Sequence, residues 1–256
     1  MLTLENLSFA HHSQTPLFSG LNASVGEGQV LAVVGRNGAG KSTLLRLLNG
    51  LLRPQSGHVL LRGKAIDRLK VHEIAAEVGT LFQAPEQQLF AARLSDEVAF
   101  GPKQLQLSAA EITNRVDEAL AQTFLTHRAS HHPLDLSAAE RRFTALASIL
   151  AMRPAVLLLD EPQRGLDRIW TERLEGIISK ERDEGKSIVL ICHDMNFAER
   201  NAQSVLALGG RQPIQLSTED FFADAGLLRE TSVERPMRLQ LKSLLEIPDQ
   251  APRVTG

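Results

Sequence analysis

Residues 35–43 read Gly35, Arg36, Asn37, Gly38, Ala39, Gly40, Lys41, Ser42 and Thr43, a full match to G-x-x-x-x-G-K-[ST]. Glycines at 35, 38 and 40 permit positive φ, so successive backbone N–H groups can point inward as an anion nest, backed by the positive end of a following helix. In this pattern Lys41 bridges the β- and γ-phosphates of a nucleotide and Ser42 is a ligand for Mg²⁺. A full match set between an expected strand and an expected helix argues against a chemically idle turn. Further along, residues 156–162 read Val-Leu-Leu-Leu-Asp-Glu-Pro, an aliphatic strand that delivers Asp160 and Glu161 at its carboxyl end, where open α/β sheets bind ligands. Asp160 is expected to hold Mg²⁺ through water, and Glu161 to polarise an attacking water as general base. Either carboxylate alone would be an ordinary strand end; paired with the phosphate loop, the two specify hydrolysis. His193 and Gln83 follow two more apolar runs, 187–192 and 78–82. A lone histidine after a strand is usually structural, but these positions put both side chains at the same sheet edge. There His193 is expected to reach the γ-phosphate and keep the water and Glu161 in register, and Gln83 to sense Mg²⁺ and the water.

The elements that must position these residues are legible as short apolar runs at Leu2–Phe9, 29–34, 78–82, 155–159 and 187–192, each bounded by Gly, Pro or Asn. Between them lie stretches with helical spacing: Leu44, Leu45, Leu47 and Leu48 after the glycine-rich turn, Ile112, Val116 and Leu120 on one face, Leu174, Ile177 and Ile178 on another. Strands alternating with helices predict an α/β chain with parallel pairing and both sheet faces covered. The stretch 89–152 carries several helix starts and no strand pattern, which predicts a helical insertion. A terminal helix is expected over 235–245, with Pro236 in its first turn, followed by a frayed end containing Pro248 and Pro252.

Composition narrows the class. The 256 residues suffice for one domain with a sizeable core, and 28 basic against 30 acidic side chains exclude a nucleic-acid sleeve. No aliphatic run approaches the roughly 20 residues needed to span a bilayer, and the opening residues lack a signal-peptide pattern. Cys192 stands alone, which excludes an internal disulfide framework and fits a reducing cytosol. It reads as a small buried strand residue, and Trp170 as packing.

Taken in order, the phosphate loop, Gln83, a Ser137 segment, Asp160-Glu161, Gly165-Leu166-Asp167 and His193 resemble the ATPase subunit of an ATP-binding cassette (ABC) transporter over about residues 1–225, with 226–256 a C-terminal extension. Within that superfamily, Phe82-Gln83-Ala84-Pro85-Glu86-Gln87-Gln88-Leu89-Phe90 and Asp96-Glu97-Val98-Ala99-Phe100-Gly101-Pro102 are similar to the energy-coupling factor ATPases that power uptake of vitamins and of cobalt or nickel ions. The resemblance implies a P-loop NTPase fold with a helical subdomain, ATP and Mg²⁺ as ligands, and a head-to-tail pair with a second ATPase subunit, identical or different. It also implies a transmembrane scaffold subunit whose coupling helices dock beside the Gln83 loop, a substrate-capture subunit, and a place at the cytoplasmic face of the membrane held by these partners. A non-transport ABC ATPase acting on DNA or ribosomes would need a coiled-coil insertion, tandem cassettes or a basic face, none of which the sequence contains. A regulatory subunit that binds nucleotide without productive turnover is the other rival.

Departures from the family pattern carry their own expectations. The signature L-S-G-G-Q, donated across the dimer to the partner's ATP, corresponds to Leu136-Ser137-Ala138-Ala139-Glu140. The same pentapeptide occurs at Leu107-Ser108-Ala109-Ala110-Glu111, and Ser-x-x-Glu is a helix capping box in both places. Spacing favours Ser137, which lies 23 residues before Asp160, against 52 for Ser108. Ser137 therefore has two open readings, ATP contact and plain N-cap. Glu140 folded back on the Ser137 N–H would face a γ-phosphate, and one like-charge pair at ~5 Å and an effective dielectric of ~20 costs about 3 kcal/mol. His11 takes the place where the family stacks a tyrosine on adenine, in a chain without tyrosine, and with His12 it reads equally well as a surface loop residue. Gln163 and Arg164 replace small family residues. A zinc site from His11, His12, His131 and His132 lacks suitable ligand spacing.

Overall fold

The computed structural model describes residues 1–11 and 16–245; His12, Pro248 and Pro252 lie outside the described residues. The chain opens with strands β1 (Leu2–Phe9), β2 (Phe18–Val25) and β3 (Val30–Val34), then helix α1 (Lys41–Leu48). Strands β4 (Ser56–Leu61) and β5 (Lys64–Ala65), helix α2 (Val71–Glu77) and strand β6 (Val78–Leu81) follow. A helical stretch holds α3 (Leu94–Gln104), α4 (Ala109–Gln122) and α5 (Ala138–Leu150). Next come β7 (Val156–Asp160), α6 (Arg168–Asp183), β8 (Ser187–Ile191), α7 (Met195–Asn201), β9 (Ser204–Ala207) and β10 (Ile214–Ser217). The last helices are α8 (Thr218–Ala223), α9 (Ala225–Thr231) and α10 (Met237–Leu245).

Two sheets result. The larger has six strands in the order β10-β9-β3-β8-β7-β6, parallel except for the antiparallel edge β10. Its strands β3, β7 and β8 are buried at every residue, which is why they read as continuous aliphatic runs rather than alternations. The pleat sorts those runs between two cores: Leu157 and Leu159 face one with α3, α5 and α6, while Val156 and Leu158 face another with α1.

The second sheet corrects the all-parallel expectation. Strands β2-β1-β4-β5 form a separate antiparallel sheet, so Leu2–Phe9, grouped by pattern with the parallel strands, belongs elsewhere and closes the α1 core from outside. Strands β2, β4, β5, β9 and β10 have no counterpart in the sequence reading. β2 contains Gly20, Asn22, Ala23 and Ser24, residues of low or moderate strand preference, and β9 is four residues long. The helical insertion is present as expected, with no strand among the described residues between 82 and 155. Pro236 sits just ahead of α10, its carbonyl accepting from Leu239 N and Gln240 N. No helix of the described residues is long and apolar enough to cross a membrane.

Phe143 joins the helical stretch to the sheet: it is 1% exposed and its ring meets Trp170 of α6 edge to face at 4.6 Å. Phe143→Ala is expected to cost about 3–5 kcal/mol, read from the shift of a urea unfolding midpoint at unchanged slope.

Candidate active site

The strand order β3-β8-β7-β6 places four carboxyl ends side by side, about 4.8 Å apart. The phosphate loop leaves β3, His193 lies two residues past β8, Asp160 and Glu161 end β7, and Gln83 lies two past β6. These residues line one cavity of about 370 Å³ together with His11, Asn37, Gly38, Gly40, Ser42 and Thr43. Every residue named above as a candidate for the chain's own nucleotide therefore converges, with Gly35, Arg36 and Ala39 forming the back of the loop. Ser137 is not in this cavity; it caps α5 elsewhere.

Glycine is required at the start of the loop. Gly35 has φ 143°, and a Cβ there would lie 2.2 Å from the Leu208 carbonyl oxygen of the strand end next to it. Gly40 has φ 97° and directs the chain into α1, whose free N–H groups then face the cavity. Lys41 is 7% exposed, and its ammonium donates to the carbonyls of Gly35 at 2.7 Å and Arg36 at 3.1 Å. Burial lowers its pKa, opposed by the charges of Glu161 and Asp160. In this arrangement the loop carbonyls hold the lysine where an incoming phosphate can take it over.

The carboxylates are unequally solvated by protein groups. Asp160 is 7% exposed, and burial, then the adjacent Glu161, push its pKa up from 3.8 to about 6 against the pull of Lys41. Glu161 lies in the left-handed region, φ 49°, its N–H donating to the Ile191 carbonyl at 2.9 Å. One of its oxygens is 3.2 Å from His193 Nε2; the other accepts from Gln83 Nε2 at 3.4 Å and Arg164 Nη1 at 3.2 Å. Burial lowers the His193 pKa, and the Lys41 charge adds to this, so the imidazole is neutral at pH 7. Cys192 is fully buried, and burial pushes its thiol far up, which removes it as a nucleophile.

The residues present fit Mg²⁺: the Ser42 hydroxyl, the Gln83 amide oxygen and the Asp160 carboxylate are hard oxygen donors on one cavity, and Asp160 is a charge that burial leaves undercompensated. His11 Nε2 lies 3.2 Å from the Thr43 hydroxyl and its ring meets Phe9 edge to face at 5.0 Å, so the expected adenine residue does border the phosphate loop.

At the signature, the capping box is complete. Ser137 Oγ accepts from Glu140 N at 3.2 Å, and Glu140 accepts from Ser137 N at 2.9 Å. Its other oxygen takes a bond from Arg128 Nε at 2.9 Å, a partner that sequence reading missed. Burial opposes ionisation of Glu140, but the Ser137 N–H and hydroxyl and the Arg128 guanidinium outweigh it and hold its pKa down. The like-charge cost toward a γ-phosphate is accordingly smaller than for an unpaired carboxylate. At Ser108 the expected box is only half made: Ser108 Oγ accepts from Glu111 N, while the Glu111 carboxylate turns to Arg115 at 2.8 Å and Arg153 at 3.5 Å.

Asp160 generates a pH prediction for the protein without metal or nucleotide. Because its folded pKa is raised, the folded state holds the proton more tightly, and the stability this gives below about pH 4 is lost as pH rises through about 6, on the order of 3 kcal/mol. Asp160→Asn should therefore raise the melting temperature above wild type at pH 7.5, with the difference vanishing near pH 4; Mg²⁺ with ATP should stabilise wild type more than the variant.

Residues 18–164 match the family described as ABC transporter. The chain is 36% identical to the energy-coupling factor transporter ATP-binding protein EcfA of Methanothermobacter thermautotrophicus, covering 96% of this chain and 80% of that protein. A protein of the same name from Carboxydothermus hydrogenoformans is 34% identical over 93% and 88%. Among solved structures, cbiO1 of Clostridium perfringens, described as part of the ABC transporter complex cbiONQ, superposes with a TM-score of 0.81 at 32% identity, covering 96% of this chain and 98% of that one. A dimeric ATP-binding cassette bound to ADP and Pi shares the fold at a TM-score of 0.73 and 24% identity, over 85% and 99% of the two chains. With these matches and a complete set of strand-end residues around one phosphate loop, the chain belongs to the ABC transporter family as one of its ATPase subunits.

Proposed function

We propose that this ATPase energises membrane uptake of a micronutrient, a vitamin or a cobalt or nickel ion, as the ATP-hydrolysing subunit of an energy-coupling factor type transporter. The carrying observation is the convergence of Lys41, Gln83, Asp160, Glu161 and His193 on one cavity, together with relatives that bear the energy-coupling factor name. Lys41 leaves the Gly35 and Arg36 carbonyls for the β- and γ-phosphates, while the loop N–H groups receive the remaining oxygens. Ser42 and Asp160, with Gln83 beside them, would hold Mg²⁺, which would supply positive charge to offset that of the phosphate oxygens. Glu161 takes the proton of the attacking water, and neutral His193 donates toward the γ-phosphate from the other side. His11 contributes a stacking surface at the adenine end.

A second apolar groove supports docking of a transmembrane scaffold. About 370 Å³ in volume, it runs between the Gln83 loop and α3, floored by Val78, Phe82, Ile149 and Met152 and rimmed by Leu51, Val71 and Phe100, which are 56%, 60% and 46% exposed. Buried Glu97 accepts from Phe90 N and Ala91 N, so the loop and α3 present this groove as one surface. In this reading the subunit sits at the cytoplasmic face, bound to the scaffold and through it to a substrate-capture subunit, and pairs head to tail with a second ATPase subunit.

The complete Ser137–Glu140 box favours a second reading, a subunit that binds nucleotide and regulates without turning it over. ATP hydrolysis by the assembled complex separates the two. Glu161→Gln is expected to lower kcat at least 100-fold while ATP still binds, and undiminished activity would favour the regulatory reading. Rebuilding the signature with Ala138→Gly, Ala139→Gly and Glu140→Gln should raise turnover several-fold; no change would leave Ser137 a cap only. The docking reading predicts that the membrane subunits co-purify with wild type and are lost with Val71→Asp.

A further inference from the structure

We propose that Arg164 is a positioning residue that latches the Glu161 carboxylate while the subunit is open, and that Arg142 of α5 ties this latch to the helical unit. The inference rests on Glu161 being the base. A carboxylate general base must turn a free lone pair toward water, and three of the roughly four acceptor sites on Glu161 are taken, one by His193 and two on the other oxygen by Gln83 and Arg164. Of these partners only Arg164 brings a permanent charge, so it makes the strongest claim on the oxygen. Folding of the loop does not need that contact. Its backbone is pinned by Glu161 N to the Ile191 carbonyl and by Arg164 N to the Glu161 carbonyl at 3.1 Å. The Arg164 side chain is 62% exposed, and such pairs are weak enough to open readily.

What would open it is visible in the next contact. Arg142 donates to the Pro162 carbonyl at 3.4 Å and to the Arg164 carbonyl, gripping both ends of the segment that aims the latch. Arg142 lies five residues along α5 from Ser137, roughly 7.5 Å of helix. Motion of the helical unit when Ser137 meets the partner's nucleotide therefore pulls directly on the backbone of Arg164. The loop also holds local cost: Glu161 is non-glycine at φ 49°, and Gln163 Oε1 is buried without a hydrogen-bond partner. Both mark a segment kept in this arrangement by its surroundings.

The test is ATP hydrolysis by the assembled membrane complex. Arg164→Ser is expected to raise kcat at least threefold with KM for ATP changed less than twofold, and to raise ATP consumed per substrate transported. Arg164→Lys, which keeps the charge, should return most of the restraint, and Arg164→Gln serves if the serine variant does not fold. Arg142→Ala should raise kcat similarly, and Arg142→Ala with Arg164→Ser should add nothing further. Glu161→Gln run in parallel separates the two ideas: an active variant overturns the assignment of the base, whereas an inactive one beside an Arg164→Ser rate at or below wild type overturns the latch alone.

Discussion

Two adjacent carboxylates, Asp160 and Glu161, stand at the end of a strand buried on both faces, beside a loop built to collect more negative charge. In a medium of low dielectric such a group of like charges is stable only with cations or protons interposed. Lys41 lies beneath the loop, Arg164 sits on Glu161, and Asp160, buried and next to Glu161, holds its proton up to about pH 6 against the pull of Lys41. Every other feature of the site serves this balance. The strand delivering the pair has to be interior, hence four consecutive aliphatic residues from Val156 to Leu159; its neighbours have to end level with it, hence the parallel register Leu159 with Leu190 and Leu81 with Leu159.

The helical unit is tied to the same site through Arg142. Helix α5 carries the Ser137 box at its first turn, Arg142 in the middle and Phe143 next to it, buried against Trp170. One helix thus carries the signature segment, bonds to the loop that follows Glu161 and anchors to α6. On the proposed reading, displacement at any one of these contacts would be felt at the others through the packing of a single helix.

Much of this was legible in the residues. The strands of the central sheet declare themselves because parallel strands covered on both faces need unbroken apolar runs, and the site residues because each follows such a run. The antiparallel sheet was hidden: its half-exposed strands mix in Gly20, Asn22 and Ser24, and Leu2–Phe9, the one strand that was visible, gave no sign of which sheet it joins. Arg164 departs from the family pattern, but its contact with Glu161 depends on a turn at positive φ that folds residue 164 back over residue 161, and nothing in side-chain chemistry announces that. The contacts of Glu97 and Arg128 were likewise hidden, since each reaches across a turn of the chain to a group that no helical or strand spacing pairs with it.

The twin Leu-Ser-Ala-Ala-Glu segments show how far a local motif can be trusted. Both serines cap a helix, because the hydroxyl needs only the N–H three residues on. The glutamates part company over the direction from which arginine approaches. Arg115 stands one turn further along α4, with Arg153 beyond it, and together they draw Glu111 away from the cap; bonds from two guanidinium cations outweigh one from a neutral N–H. After Glu140 the corresponding position is Thr144, which bonds back to the Glu140 carbonyl and offers no charge. Arg128 instead comes from the chain ahead of α5, the same side as the cap, so Glu140 can satisfy both with its two oxygens. The residue four places after the glutamate, arginine in one copy and threonine in the other, is therefore what separates a half-made cap from the closed box that now occupies the signature position.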